Sequence, residues 1–218
     1  MDLHLHESVL LLGLDDEKGK LTGSSFYFSY SFSSAIIMDL VLAERIVVED
    51  KRIKILTNAI TDNKLLNNVL QRLQNKKKTP KVGRWLNYLV NRTGKLKLLA
   101  IENLVRQKIL EKKKVKKLWL FNVNRYPSTN LKPENQLRAR LLQIIFEHEE
   151  PKPKERMLLT ILLTCQLDKS LIPDKKERKA AKERIEALTE DSEMRKLIGD
   201  AIQEMQTIIM LTTGGSVG

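Results

Sequence analysis

The segment from Glu111 to Pro127, EKKKVKKLWLFNVNRYP, combines positive charge and apolar surface within one short stretch. Its five lysines run into an apolar group that contains Trp119, one of the two tryptophans of the chain. Lysine ammonium groups are attracted to anionic lipid, and large apolar side chains insert between lipid headgroups. The segment therefore predicts a contact with an anionic membrane. The residues assigned to that contact are Lys112, Lys113, Lys114, Lys116, Lys117, Trp119, Leu120 and Phe121.

The net charge of the chain also indicates a polyanionic partner. The formal charge is +12, from 39 basic and 27 acidic residues. Residues 72–117 hold sixteen of the basic residues and only two acidic ones, Glu102 and Glu111, so the rest of the chain is nearly neutral. A charge block of this kind is typical of proteins that bind nucleic acid or an anionic membrane surface. A lysine-rich face that is merely solvated is the alternative interpretation.

Residues that support catalysis or bind metal ions are few. His4 and His6 could share a metal ion only in an extended segment, and we expect the N-terminus to be frayed. His148 lies at the carboxyl end of a Glu-rich helix, where the helix dipole would stabilise its positive charge. Cys165 lies in the run LLTILLTCQL and is expected to be a buried, unreactive side chain. We therefore predict no enzyme, no metal site and no cofactor.

Composition predicts a protein of a reducing, cytoplasmic compartment. One cysteine excludes a disulfide framework, and the first residues do not form a signal-peptide pattern. We consider Met157–Leu167 and Thr207–Thr213, as the longest uncharged and largely apolar stretches, for membrane-spanning helices. Both are shorter than the roughly 18 residues that span a bilayer.

Hydrophobic periodicity and turn residues predict a mainly α protein. It is expected to form a single globular domain over residues 1–218, with its core at about 5–210 and a flexible tail at 211–218. Two small β-hairpins are expected at residues 46–56 and 110–124. The predicted helices cover residues 5–12, 24–45, 58–74, 82–90, 97–110, 133–149, 155–167, 173–188 and 192–210.

The stretch Ser24–Phe32, SSFYFSYSF, favours two different structures. Its aromatic residues alternate with a period of two, which taken alone indicates a strand. The residues that follow, Ala35–Glu44, have a helical composition. We favour one helix from about residue 24 to residue 45.

A nucleic-acid-binding protein is the alternative function. Residues 82–124 have the outline of a winged helix, with two helices followed by a basic hairpin. The second helix offers Asn103, Arg106, Gln107 and Lys108 as contacts to bases. The aromatic hairpin fits this function poorly, because groove contacts use arginine and polar side chains. We therefore favour the membrane over nucleic acid. A protein scaffold whose hairpin only joins copies of the chain is a third interpretation.

Five segments occur in the order and spacing found in one known family. They are ESVLLLGLDDEKGK (Glu7–Lys20), AIIMDLVLAERIVVED (Ala35–Asp50), WLNYLV (Trp85–Val90), ENLVRQKILEKKK (Glu102–Lys114) and RYPSTN (Arg125–Asn130). In these segments the chain resembles the Golgi phosphoprotein 3 family, and its bacterial branch in particular. The similarity extends over about residues 5–210.

The resemblance implies a helical domain with a protruding hairpin that contacts membranes and other copies of the chain. It also implies binding of phosphatidylinositol 4-phosphate and, in eukaryotic members, of Golgi glycosyltransferases as clients. The family's headgroup pocket maps to Ser24, Ser33, Gly94 and Lys97, of which only Lys97 keeps a basic side chain. We therefore expect a general attraction to anionic lipid rather than a complete phosphoinositide pocket. The residues assigned to it are Lys81, Arg84, Lys95 and Lys97.

Overall fold

The computed structural model describes residues 3–76, 78–117 and 121–190, together with residues 195–196, 199–200 and 203. Over these residues the fold is mainly α with two antiparallel hairpins, which confirms the predicted fold class. The hairpins are β1 (Ile46–Glu49) with β2 (Arg52–Ile55), and β3 (Lys113–Lys117) with β4 (Phe121–Arg125). The helices are α1 (Leu5–Gly13), α2 (Ser25–Leu42), α3 (Lys64–Gln74), α4 (Val82–Val90), α5 (Thr93–Arg106), α6 (Lys132–Phe146), α7 (Pro153–Thr164), α8 (Asp168–Leu171) and α9 (Lys175–Thr189).

The central element is α2, around which α1, α3, α4, α5 and α7 pack. Phe28 and Phe32 lie on one side of this helix, where their rings stack, and Tyr30 lies on the opposite side. All three are buried, so their alternation in the sequence does not indicate a strand. The preference for a helix is therefore confirmed. By length and composition α2 could cross a membrane, although it was not among the apolar stretches considered above as membrane spans. Because 67% of its residues are buried by the surrounding elements, it is the core helix of this fold.

The N-terminus is packed rather than frayed, so that prediction is wrong. The Asp39 carboxylate of α2 accepts hydrogen bonds from the backbone N–H groups of Leu5 and His6, at the start of α1. His6 is fully buried, and its Nδ1 lies 2.6 Å from Asp39 Oδ2. The His4 ring stacks on the His6 ring. These bonds hold α1 against α2.

Three helix boundaries in the basic part of the chain differ from the prediction: the start of α3 and both ends of α5. The third helix begins at Lys64 rather than Asn58, because the Asn63 side chain accepts from the N–H groups of Leu65 and Leu66 and so caps α3 there. We expected Thr93 and Gly94 to separate two helices, but they form the first turn of α5. That helix ends at Arg106, since Lys108 adopts a left-handed conformation with φ of 59°.

The last helices are shorter than predicted for the same reason. His148, with φ of 58°, follows the end of α6, and Gln166, with φ of 54°, follows the end of α7. The short helix α8 was not predicted. Of the predicted helix at residues 192–210, only residues 195–196, 199–200 and 203 are described, and these are helical. The predicted tail at residues 211–218 lies outside the described part of the chain.

The loop between α1 and α2 holds the base of the β3–β4 hairpin. The N–H of Tyr126 donates to Gly19 O at 3.1 Å, and the N–H of Ser128 donates to Asp16 O at 2.9 Å. Gly19 has a φ of 55°, and a Cβ there would lie 2.3 Å from backbone atoms of Tyr126 and Pro127. Only glycine lets these two backbones approach so closely.

We predict that Gly19→Ala lowers the free energy of unfolding by about 3 kcal/mol or more, because it combines a left-handed backbone with a backbone clash. Gly23→Ala is the matched control: its φ is 71°, but a Cβ there has no atom within 4 Å. The control should cost only the left-handed conformation, about 1–2 kcal/mol. Urea denaturation of both variants checks this, and equal losses would contradict the assigned role of Gly19.

Glu134, in the first turn of α6, is an ionisable group that is 2% exposed. Burial raises the pKa of Glu134 to about 7, and the nearby Asp16 carboxylate adds to this rise. Arg138, which donates to Glu134 Oε1 at 2.7 Å, opposes the rise. Asp16 Oδ1 in turn accepts a hydrogen bond from the Ser128 hydroxyl at 2.8 Å. The two carboxyl groups therefore connect α6 to the base of the hairpin.

We predict that the free energy of unfolding falls as the pH rises from about 5 to about 8. In this range the unfolded chain has released a proton that the folded Glu134 retains, so rising pH favours unfolding. The contribution of Glu134 should be about 1–3 kcal/mol. Denaturation of the wild type and of Glu134→Gln at both pH values measures it. A pH dependence that is the same in both proteins would exclude Glu134 as its source.

Candidate functional site

The β3–β4 hairpin displays the lysines of the basic segment. Its strands pair in the register Lys113 with Arg125, Val115 with Val123 and Lys117 with Phe121. Since alternate residues of a strand point to opposite sides, one side carries Lys114 and Lys116 with Asn122 and Asn124. All four of these side chains are exposed.

The other side of the hairpin has a small apolar centre between cations. Val115 and Val123 form a cross-strand pair, with Lys113 and Arg125 beside them. Val115 is 45% exposed, so this valine pair is not part of the core. Among the described elements, β3 and β4 pack mainly against each other. The hairpin therefore presents both sides to solvent.

The apolar part of the predicted contact falls largely outside the described residues. Leu118, Trp119 and Leu120 connect the two strands and are not described, and neither are the side chains of Lys117 and Phe121. Insertion of these residues into lipid stays a prediction. Lys112, Lys113, Lys114 and Lys116 are described and exposed, and Lys113 Nζ lies 2.6 Å from Glu111 Oε1.

The structure does not gather the predicted cations into one cluster. Lys81 and Arg84 lie at the start of α4, whereas Lys95 and Lys97 lie at the start of α5. The nine residues of α4, about 13 Å in length, separate these two groups. The fourteen residues of α5, about 20 Å in length, lie between the second group and the segment that leads into the hairpin.

Lys97 is one of the predicted lipid contacts, and its pKa is lowered in the folded protein. Its side chain is half-buried, and this burial lowers the pKa of its ammonium group. Within the described residues Lys97 forms no ion pair with a carboxylate, so an incoming anion would neutralise a charge that the fold leaves partly desolvated.

The other positions of the family's headgroup pocket do not supply charge. Ser24 is the residue before α2, and Gly94 is an exposed residue in the first turn of α5. Ser33 is fully buried within α2, with its hydroxyl lacking a hydrogen-bond partner among the described groups. A group bound from solvent does not reach Ser33, and neither Ser24 nor Gly94 carries a charge.

The residues considered for base contacts are engaged in packing. Asn103 Nδ2 donates to the buried Glu7 carboxylate of α1 at 2.5 Å, and Gln107 Nε2 lies 3.5 Å from the same oxygen. Arg106 donates to Asn103 Oδ1 at 2.7 Å. Asn103 and Gln107 thus join the end of α5 to α1, which weighs against their use in reading bases. Arg106 bonds only within α5, and Lys108 is exposed.

The sequence analysis missed a cluster of cations around Tyr88. The Arg92 guanidinium lies 3.8 Å from the centre of the Tyr88 ring, and Lys76 Nζ lies 4.9 Å from it. Arg72 Nη1 lies 3.5 Å from the Tyr88 hydroxyl, and the ring of Trp85 stacks on that of Tyr88. Arg72 lies in the last turn of α3, and Lys76 lies just after that helix. Their contacts with Tyr88 of α4 therefore depend on tertiary packing. No spacing in the sequence indicates it.

The described residues form no group of three or more His, Cys, Asp or Glu side chains that could hold a metal ion. Cys165 is fully buried, as predicted, and burial raises the pKa of its thiol far above the ordinary range. A thiol in this state is a poor nucleophile.

A comparison with protein families gives the chain its classification. The model of the family Golgi phosphoprotein 3 (GPP34) matches residues 5–205, which is nearly the whole chain. This range includes every described helix from α1 to α9 and both hairpins. It also includes all five segments on which the resemblance was based. The chain therefore belongs to the Golgi phosphoprotein 3 (GPP34) family.

Proposed function

We propose that the chain is a non-enzymatic peripheral membrane protein that binds anionic lipid. The observation that carries this proposal is the β3–β4 hairpin: its lysines whose side chains are described, Lys113, Lys114 and Lys116, are exposed, and its strands pack mainly against each other. Membership of the Golgi phosphoprotein 3 family is consistent with a lipid-binding adaptor, and this family is not known for enzymatic activity.

The expected energies describe reversible binding. Each lysine near an anionic surface contributes about 1 kcal/mol, so the five hairpin lysines contribute about 5 kcal/mol. Insertion of Trp119 and Phe121 would add about 1.5–3 kcal/mol for each side chain. Restricting the motion of the protein opposes this by about 4–15 kcal/mol. A single copy therefore binds weakly, and several linked copies bind more tightly through avidity.

The hairpin offers a route to such linkage. It is a two-stranded sheet, so each strand has one edge without a partner strand among the described residues, and another copy could pair with it. In this proposal the protein acts on the cytoplasmic face of a membrane, as an adaptor or scaffold for client membrane proteins. Phosphatidylinositol 4-phosphate is the headgroup that the family suggests.

We predict that replacing Lys112, Lys113, Lys116 and Lys117 by glutamate abolishes binding to anionic vesicles. Because each lysine contributes about 1 kcal/mol, the affinity should fall by about a hundredfold or more. Cosedimentation with vesicles that contain phosphatidylserine measures this effect.

The matched control replaces Lys175, Lys176, Lys179 and Lys182 of α9 by glutamate. These lysines are exposed, and the change in net charge is the same. If both variants lose binding equally, net charge rather than the hairpin is responsible. If neither loses binding, the membrane proposal is wrong. Light scattering of the same proteins reports whether the hairpin also joins copies of the chain.

We predict that Trp119→Ala weakens binding to uncharged and anionic vesicles by the same factor. Insertion of an apolar side chain does not depend on lipid charge, and its loss should reduce the affinity about ten- to hundredfold. Trp119→Phe is the control, because it keeps an apolar ring. A loss confined to anionic vesicles would show that Trp119 does not insert.

A further inference from the structure

Among the described residues, three hydrogen bonds attach the base of the β3–β4 hairpin to the loop between α1 and α2. The N–H of Tyr126 donates to Gly19 O, and the N–H of Ser128 donates to Asp16 O. The Ser128 hydroxyl adds a bond to Asp16 Oδ1 at 2.8 Å. Asp16 thus accepts two of these bonds, one through its main chain and one through its side chain. Displacement of Asp16 would therefore loosen the attachment of the hairpin.

The Asp16 carboxylate faces a second carboxyl group, that of Glu134 in the first turn of α6. Glu134 is almost completely buried, and Arg138 Nη2 lies 2.6 Å from its Oε1. The other oxygen, Oε2, is also buried, and no hydrogen-bond donor among the described groups reaches it. A proton on this oxygen would itself be a donor, and the Asp16 carboxylate is an acceptor for it. The arrangement suits one proton shared between two carboxyl groups, since two neighbouring carboxylates do not both ionise readily.

The fold holds Glu134 more firmly than it holds Asp16. Glu134 lies on a helix of 15 residues, and Arg138 beside it also donates through Nη1 to Ser170 O of α8 at 2.6 Å. Asp16 lies half-exposed in a loop. Repulsion between the two carboxylates would therefore displace Asp16 and its loop, because Glu134 and α6 have less freedom to move.

The charges that act most strongly on Glu134 are those of Arg138, on its own helix, and Asp16, in the loop. α1, α8 and α9 also lie beside α6. The ionisable side chains of these three elements that are not exposed are His6, Glu7, Asp168, Arg178, Arg184 and Glu186. The two on α1 bond to α2 and α5, and Asp168 Oδ2 lies 3.7 Å from Arg178 Nε. These partners leave the Glu134–Asp16 pair as the contact that responds to a proton.

We propose that the Glu134–Asp16 pair is a pH-sensitive switch that controls how firmly the β3–β4 hairpin is attached to the domain. With one proton between the two carboxyl groups, the loop keeps its bonds to Tyr126 and Ser128. When both groups are ionised they repel each other, Asp16 moves away, and these bonds break. Burial raises the pKa of Glu134 to about 7, so the change occurs near neutral pH.

The switch would regulate the proposed membrane contact, and this consequence rests on the proposed function. A firmly attached hairpin presents its lysines in a fixed orientation, so less freedom of motion is lost on binding. An anionic membrane attracts protons to its surface as it attracts other cations. Membrane binding and protonation of the pair therefore favour each other.

Hydrogen exchange tests the switch without a membrane. In the wild type, the protection factors of the Tyr126 and Ser128 amides should fall about tenfold or more between about pH 5 and about pH 8, because the opened state releases the proton of Glu134. In Glu134→Gln, whose side chain stays uncharged and can donate to Asp16, they should change less than about twofold. The amides of α2 are the internal reference: if the base opens locally, they stay more strongly protected at both pH values.

The matched control is Glu183→Gln, which removes the same charge from an exposed residue of α9 and should behave like the wild type. Protection that does not fall in the wild type, or that falls equally in Glu134→Gln, would overturn the proposal. Asp16→Asn is the second variant in case Glu134→Gln does not fold. It keeps an acceptor for the Ser128 hydroxyl but removes the charge that repels Glu134, so its loss of protection should be smaller.

Cosedimentation with phosphatidylserine vesicles tests the consequence for the membrane. The lysines keep their charge between about pH 6 and about pH 8, so the affinity of a protein without the switch should change little. The wild type should lose about twofold or more in affinity at the higher pH, and Glu134→Gln should not. The same pH dependence in both proteins would show that the switch does not regulate binding. If neither protein binds vesicles at either pH, the proposed function fails, and the exchange result still decides whether the switch exists.

Discussion

The burial of α2 over most of its length is the constraint on which the architecture depends. Apart from Asp39, whose buried carboxylate bonds to the start of α1, this helix carries only apolar, aromatic and serine residues, and its stretch from Tyr30 to Leu40 has no face that is suited to water. The surrounding helices satisfy this requirement with their own apolar faces, as α3 does with Leu65, Leu66 and Leu70. Their polar faces are thereby turned outward. The fold thus places the charges of residues 72–117 at the surface, whatever those charges bind.

The basic side chains of the C-terminal half and those of residues 72–117 differ in how often they pair with carboxylates. In the C-terminal half, Arg138 pairs with Glu134, Arg140 pairs with Glu149 and Glu155, and Arg178 lies near Asp168. In residues 72–117, Glu111 is the one acidic residue that pairs with a described lysine. Arginines that are paired with carboxylates stabilise the contacts between helices, whereas unpaired cations leave charge for an external anion. This contrast supports the proposal that an anionic partner binds to residues 72–117.

The sequence indicated the elements better than their ends or their contacts. The hairpin at residues 110–124 and the helix at 82–90 could be predicted from periodicity and turn residues, because those signals are local. The helix predicted at 58–74 was correct in type and in its end, but it begins at Lys64. The left-handed residues Lys108, His148 and Gln166 that end three helices carry no such signal. The cluster at Tyr88 was missed for a different reason, since it joins α3, α4 and α5. The order of the five family segments indicated the fold directly. The burial of Ser33, one of the positions to which the resemblance assigns the headgroup pocket, could not be predicted from that order.

The length of α5 restricts how the predicted lipid contacts at its two ends could act together. Lys95 and Lys97 lie at the amino end of α5, and the hairpin begins a few residues beyond its carboxyl end, about 20 Å along the axis. A flat bilayer reaches both only if α5 lies nearly parallel to its plane. In that orientation the exposed Leu98 and Lys95, three residues apart on α5, lie on the same face of the helix. Two weak contacts on one rigid helix bind more tightly than either alone, because the second contact forms at a high effective concentration. If ionised Glu134 releases the base of the hairpin, the two contacts are no longer fixed relative to each other, and this gain is reduced.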